Sequence, residues 1–134
     1  MDSAGNPVKT FAVTTPLYYV NALPHIGSAY TTIAADALAR FHRLLGQPVL
    51  MITGTDEHGQ KIQRTAEARG LEPQAHCDEI VAGFYTLWER LNIAYDRFSR
   101  TTAPRHAAIV QEFYQRVWHS GDIYEGRLQG WYCV

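Results

Sequence analysis

An α/β fold with a parallel sheet is what this 134-residue chain predicts, on two observations. Short β-prone runs and long helical patterns alternate along it in the order strand, helix, strand, helix, as in layered α/β domains. The apolar run at residues 49–52 is also continuous, as in a strand covered on both faces. Composition agrees, with 46% apolar and 19% charged residues, ordinary for a water-soluble globular domain. Two or three strands do not complete such a sheet, so the fold is expected to draw on further chain.

Each element has its own signal. Phe11, Ala12 and Val13, flanked by threonines, read as a first strand that Pro16 ends. Residues 17–24 then read as a loop. Ile26, Tyr30, Ile33, Ala34, Ala37, Leu38, Phe41, Leu44 and Leu45 recur at three- and four-residue steps, the rhythm of a helix that Gly46 stops. A second strand at 49–52 passes into a polar turn at 53–59 and a polar helix reaching Arg69, with Gly70 behind it. Pro73 opens a helix carrying Ile80, Phe84, Leu87, Trp88 and Leu91 on one side. A third strand is expected at Arg97–Arg100. A further helix starts at Pro104, where a first-turn proline costs no needed N–H, with Val110, Phe113 and Val117 on its apolar side and Gly121 at its end. Alternation over 123–134 suggests a hairpin. The aromatic residues Phe84, Trp88, Phe113 and Trp118 lie at helical spacing and are expected to be core rather than a stacking surface.

Several function classes are excluded early. The formal net charge of −1 gives no broad electrostatic surface for nucleic acid, so the main basic contacts to such a partner must lie elsewhere. Cys77 and Cys133 are too far apart to suggest a disulfide framework, which favours a reducing cytoplasmic setting. The polar, acidic start is no signal peptide, and no apolar run approaches bilayer length, so no membrane is expected. His42, His58, His76, His106 and His119 show no metal-ligand spacing and read as surface or partly packed residues. Cys77 reads as a helix-surface or core side chain.

Two constellations carry chemistry. Pro24-His25-Ile26-Gly27-Ser28 stands where the first strand hands over to the long helix. A helix N-terminus offers unpaired N–H groups and partial positive charge to a phosphate, and a glycine there lets a nucleobase approach. Alone, the same histidine reads more often as a cap or surface residue than as a nucleotide contact. Thr53-Gly54-Thr55-Asp56-Glu57-His58-Gly59 follows the second strand, so Asp56 is expected at the same crevice as His25, at the carboxyl ends of the strands. A carboxylate there suits an ammonium group, and one of Asp56 and Glu57 also suits an N-cap.

The stretch from Thr14-Thr15-Pro16 through Leu17, Tyr18, Tyr19, Val20 and Asn21 to Pro24-His25-Ile26-Gly27 resembles the bacterial methionyl-tRNA synthetases. So do Ala29-Tyr30-Thr31-Thr32, Asp36, Arg40, the block at 53–59, Arg100-Thr101-Thr102, Gly121-Asp122-Ile123-Tyr124 and Gly130-Trp131-Tyr132-Cys133-Val134. Leucyl, isoleucyl and cysteinyl relatives share an H-x-G-H without the flanking blocks. Nucleotidyltransferases of dinucleotide or pantetheine metabolism lack T-G-T-D-E-H-G.

The resemblance implies the first half of a Rossmann-like class I catalytic domain at residues 10–121. A polar tail (1–9) precedes it, and the start of a connective insert (122–134) follows. It implies ATP-dependent activation of methionine and transfer to tRNA(Met). The HIGH motif falls on His25, Ile26, Gly27 and Ser28, with His25 and Ser28 as catalytic contacts to the phosphates of ATP. Gly27 admits the adenine, and Asn21 joins the ATP site. Leu17 and Tyr19 line the methionine pocket, and Asp56 holds the methionine ammonium. Ser28 departs from the motif, which has a second histidine there. Magnesium is expected with ATP. Zinc is expected only in a full-length protein, with Cys133 at the place of its first ligand. The K-M-S-K-S motif has no counterpart, since Lys9 and Lys61 are the only lysines, and tRNA contacts are expected in a missing C-terminal part. The chain alone is therefore expected to be inactive; as an alternative, it is a non-catalytic binding or assembly fragment that needs a complementary chain.

Overall fold

A computed structural model of the chain describes residues 9–127 and 129–131. Three strands, β1 (Phe11–Tyr19), β2 (Val49–Asp56) and β3 (Arg97–Arg100), form one sheet in the order β1-β2-β3, and both pairings are parallel. Four helices accompany them: α1 (Ile26–Leu44), α2 (Gln60–Ala68), α3 (Pro73–Arg90) and α4 (Pro104–His119). The chain divides into two compact units, Met1–Thr102 and Ala103–Val134.

Both long strands run further than expected. β1 passes through Pro16 because its register with β2 shifts between Thr14 and Leu17. Thr15 and Pro16 together face Thr53, and this bulge takes up a residue that has no N–H for the ladder. β2 continues past Ile52 to Asp56, through residues expected to turn. Thr53 and Thr55 tolerate full burial there because each hydroxyl is paired. Thr53 meets Thr15 at 2.8 Å, and Thr55 donates to Glu57 at 2.6 Å.

α1 is seated opposite to the reading its large side chains invite. Its buried residues are Ser28, Thr32, Ala35, Asp36 and Ala39, whereas Ile26 and Leu44 are each 87% exposed. Small side chains let the helix lie close to the sheet, where Ala35 and Ala39 pack against Met51. The buried polar groups on that side are satisfied. Thr32 meets the Tyr18 hydroxyl at 2.8 Å, and Asp36 accepts from the Ala94 N–H at 2.9 Å and from Arg40 at 2.6 Å.

The second part of the core gathers Val20, Ile62, Cys77, Ile80, Val81, Phe84 and Trp88, with the Tyr18 and Phe84 rings stacked 5.6 Å apart. Phe84 and Trp88 are thus core, as expected. In the second unit the expectation fails: α4 buries no residue, and Phe113 and Trp118 are 68% and 56% exposed. Of the hairpin expected over 123–134, the described residues 122–127 and 129–131 form no strand, and Leu128 lies outside the described residues. Tyr132, Cys133 and Val134 lie outside the described residues, as do residues 1–8 of the N-terminal tail.

Candidate functional site

The β1 bulge decides which side chains share a face. Side chains alternate along a strand, so an inserted residue reverses the sense of all that follow. Before the bulge Val13 pairs with Met51, and after it Tyr18 pairs with Thr55. These residues, with Thr15, Val20, Thr53 and Glu57, turn toward the helices. The other face carries Thr14, Leu17, Tyr19, Ile52, Gly54 and Asp56, with Leu17 opposite Gly54 and Tyr19 opposite Asp56. Leu17 and Tyr19 are 40% and 65% exposed. Without the bulge they would point into the core beside Val13. The three residues associated with a methionine pocket therefore lie on one face.

At the helix start, His25 is the N-cap of α1 with extended backbone. Its Nδ1 accepts from the Gly27 N–H at 3.0 Å, which places the proton of the neutral ring on Nε2 as a free donor. A Cβ on residue 27 would stand 2.8 Å from His25 Cε1, so the glycine is what lets the ring fold over the helix end. Ser28 answers from the other side. Its Oγ accepts from the His25 N–H at 3.1 Å and donates to the His25 carbonyl at 2.7 Å. Ser28 is only 4% exposed, and its one proton is used in this reciprocal cap.

Leu17, Tyr19, Asn21, His25 and Ser28 all line one cavity of about 390 Å³, together with Pro16 and Phe84. Asp56 does not line it, and neither does Gly27. Asp56 sits beside it at the end of the adjacent strand, as the partner of Tyr19. Neither Asp56 nor Glu57 caps α2, whose N-cap is Gly59.

Glu57 instead ends in a buried network. It is 4% exposed and accepts from Arg100 Nε at 2.7 Å, Arg100 Nη2 at 2.8 Å and Thr102 Oγ1 at 2.5 Å, besides Thr55. Burial favours its neutral form, but the Arg100 guanidinium and the Thr102 and Thr55 hydroxyls outweigh that and hold the carboxyl below the ordinary carboxylate range. Arg100 also reaches Asp78 at 2.5 Å, and its own titration is pushed up. His76, expected as a surface or partly packed residue, is 1% exposed and bridges the Val20 carbonyl and Arg69, both at 2.8 Å. It anchors the chain just ahead of Asn21. Sequence reasoning missed both residues, because their partners are far off along the chain.

No group of three or more His, Cys, Asp or Glu side chains able to hold a metal occurs among the described residues. No described helix is long and apolar enough to cross a membrane.

Comparisons with known proteins agree with this geometry. The model of the family "tRNA synthetases class I (M)" matches residues 11–134. The chain is 77% identical over 124 residues to a methionine–tRNA ligase of Thermosynechococcus vestitus, covering 92% of this chain and 23% of that relative. It is 69% identical to one from Nostoc, covering 100% and 25%. It thus spans about a quarter of the length of these curated relatives. A solved Mycobacterium tuberculosis methionyl-tRNA synthetase in complex with methionyl-adenylate superposes with a TM-score of 0.84 at 45% identity, over 87% of this chain and 23% of that one. A leucyl enzyme from Agrobacterium radiobacter, 24% identical, superposes at 0.82 and shows the shared fold. On the family match over residues 11–134 and these identities, the chain belongs to the class I tRNA synthetases of the methionine type.

Proposed function

We propose that this chain supplies ATP- and methionine-binding residues of a methionine–tRNA ligase, as the first half of its catalytic domain. The observation that supports this best is the shared face of Leu17, Tyr19 and Asp56 beside a cavity lined by His25. Methionine places its thioether side chain toward Leu17 and Tyr19 and its ammonium at Asp56. ATP places its phosphates at the start of α1, where His25 Nε2–H and the helix amides donate to them, and its adenine lies along Gly27, with Asn21 beside it. Ser28, buried in the cap, acts by holding His25 in place.

The methionine carboxylate attacks the α-phosphorus of ATP, and pyrophosphate leaves. The attacking oxygen is already charged, so no side chain must take a proton from it. The contribution of these residues is orientation and stabilisation of charge growing on the phosphates. Transfer to tRNA(Met) follows in the whole protein, in the cytoplasm. Magnesium enters with ATP, held by its phosphates. A pocket walled on one side discriminates weakly, since each misplaced methylene is worth only about 1–3 kcal/mol.

The test is methionine-dependent ATP–pyrophosphate exchange by a chimaera in which this chain replaces the matching segment of the Thermosynechococcus vestitus relative. Exchange by the chimaera, none by the chain alone, and loss on Asp56→Asn through a raised methionine KM are expected. An active Asp56→Asn chimaera with unchanged methionine KM would refute the reading. The exposed stripe of α1, with Ile26 and Leu44 at 87%, supports a second reading, in which the separate chain binds ligand or assembles only with a complementary chain. Methionine binding by the chain alone, without exchange, would favour it.

A further inference from the structure

A buried charge beside the site has no task in the mechanism proposed above. Glu57 is 4% exposed, yet all the accepting directions of its carboxylate are filled: Oε1 by Thr55 and Arg100 Nε, Oε2 by Arg100 Nη2 and Thr102. Its backbone is held as well. The Glu57 N–H donates to Thr101 Oγ1 at 2.8 Å, and the Thr101 N–H donates to the Thr55 carbonyl at 3.3 Å. Thr55 and Glu57 are the neighbours of Asp56 on either side and point to the opposite face of the sheet. Everything that locks them to the end of β3 therefore fixes the main chain from which the Asp56 carboxylate projects.

We infer that Glu57, through Arg100 and the Thr55, Thr101 and Thr102 hydroxyls, is the positioning residue that aims Asp56 at the ammonium of the amino acid substrate. The inference rests on the methionine-binding reading of Asp56. A core ion pair of merely structural use would be expected to tie together elements remote from the site. This one converges on the two residues flanking the acid, and three of its four partners lie in the consecutive stretch 100–102, which begins with the last residue of β3. A neutral amide in place of the carboxylate keeps the size of the side chain. It supplies one oxygen where there were two, so the Arg100 fork loses a partner and the β2 end loosens.

The chimaera is the test protein, with exchange kinetics as the readout. Glu57→Gln is expected to raise the methionine KM about tenfold, the effect of a lost charge-assisted hydrogen bond, with the ATP KM and kcat changed less than about twofold. Thr55→Val, which keeps the shape of a buried residue and removes one hydrogen bond to Glu57, is expected to raise the methionine KM about threefold and decides the matter if the glutamine variant does not fold. In the Asp56→Asn background, either substitution should add nothing further, because its effect passes through the missing carboxylate. If Asp56→Asn lowers methionine affinity but the second substitution adds its full effect on top, or if the ATP KM rises equally, the positioning role is overturned while the reading of Asp56 stands. If Asp56→Asn has no effect on the methionine KM, both are overturned.

Discussion

Tyr19 and Asp56 face each other across β1 and β2, and a bulge at Thr15 and Pro16 is the reason they share a side of the sheet. Counted from Val13 without interruption, Tyr19 would stand on the helix-covered side with Thr15. The extra residue reverses that sense, and Leu17 moves with it.

Deleting Pro16 should therefore do more harm than replacing it. The deletion restores plain alternation and swings Leu17 and Tyr19 toward α1, which displaces Tyr18 from Phe84. The deleted chimaera is expected to lose measurable pyrophosphate exchange. Pro16→Ala keeps the residue count and should stay within about tenfold of the parent. Equal activity of the two variants would mean that the bulge does not set the facing of the pocket.

The cap of α1 separates direct from indirect action. His25→Ala removes the proposed phosphate donor and should lower adenylation by about 10²-fold or more. Ser28→Ala removes one half of the reciprocal cap, at a cost of about 1 kcal/mol in stability, and should lower exchange within about tenfold. Equal losses for both would restore Ser28 as a direct phosphate contact, the role that resemblance assigns it.

Gly54 leaves no room for any side chain. A Cβ there would lie 2.0 Å from the Ser99 carbonyl oxygen and 2.8 Å from its carbon, main-chain atoms of the adjoining strand. Gly54→Ala must separate β2 from β3 and is expected to cost about 3 kcal/mol, read as a lower urea midpoint of the chain. An unchanged midpoint would mean that β3 yields freely.

The acid limb of stability should carry the signature of Glu57. Its folded carboxyl titrates below the unfolded value, near about 4.3, so the stabilisation is complete above that pH and is lost as pH falls through the folded value. Glu57→Gln should melt well below the parent at pH 7, and the gap should narrow once pH drops under about 4. A gap that stays constant across this range would show that the ionised form contributes nothing special.

Much of this architecture is legible from local chemistry. Pro73 and Pro104 announce helix starts, Gly46 and Gly70 follow helix ends, and the third strand lies at Arg97–Arg100 as read. Local chemistry fails where a distant partner decides. Pro16 reads as a terminator until the bulge opposite Thr53 is known. The rhythm of α1 reveals a stripe but not which side meets the sheet, and polar Ser28, Thr32 and Asp36 are buried because partners elsewhere satisfy them. Glu57 and Arg100 are 43 residues apart, and His76 and Val20 are 56 apart, so no window along the chain joins them. At the site, the place of Asp56 after the second strand suggested an ammonium partner, the roles of Leu17 and Tyr19 came from likeness to a family, and the common side of all three came only from strand register.

The close seat of α1 at Ala35 and Ala39 makes the helix a lever with its fulcrum near mid-length. His25 lies ten residues before Ala35, about 15 Å along the rod at 1.5 Å per residue. A wider side chain wedged under either alanine would be expected to pivot the rod and lift its His25 end from the strand tips, with no atom of the pocket itself altered. Two methyl groups deep under the helix thus set the height of the helix end at which the proposed function seats a triphosphate.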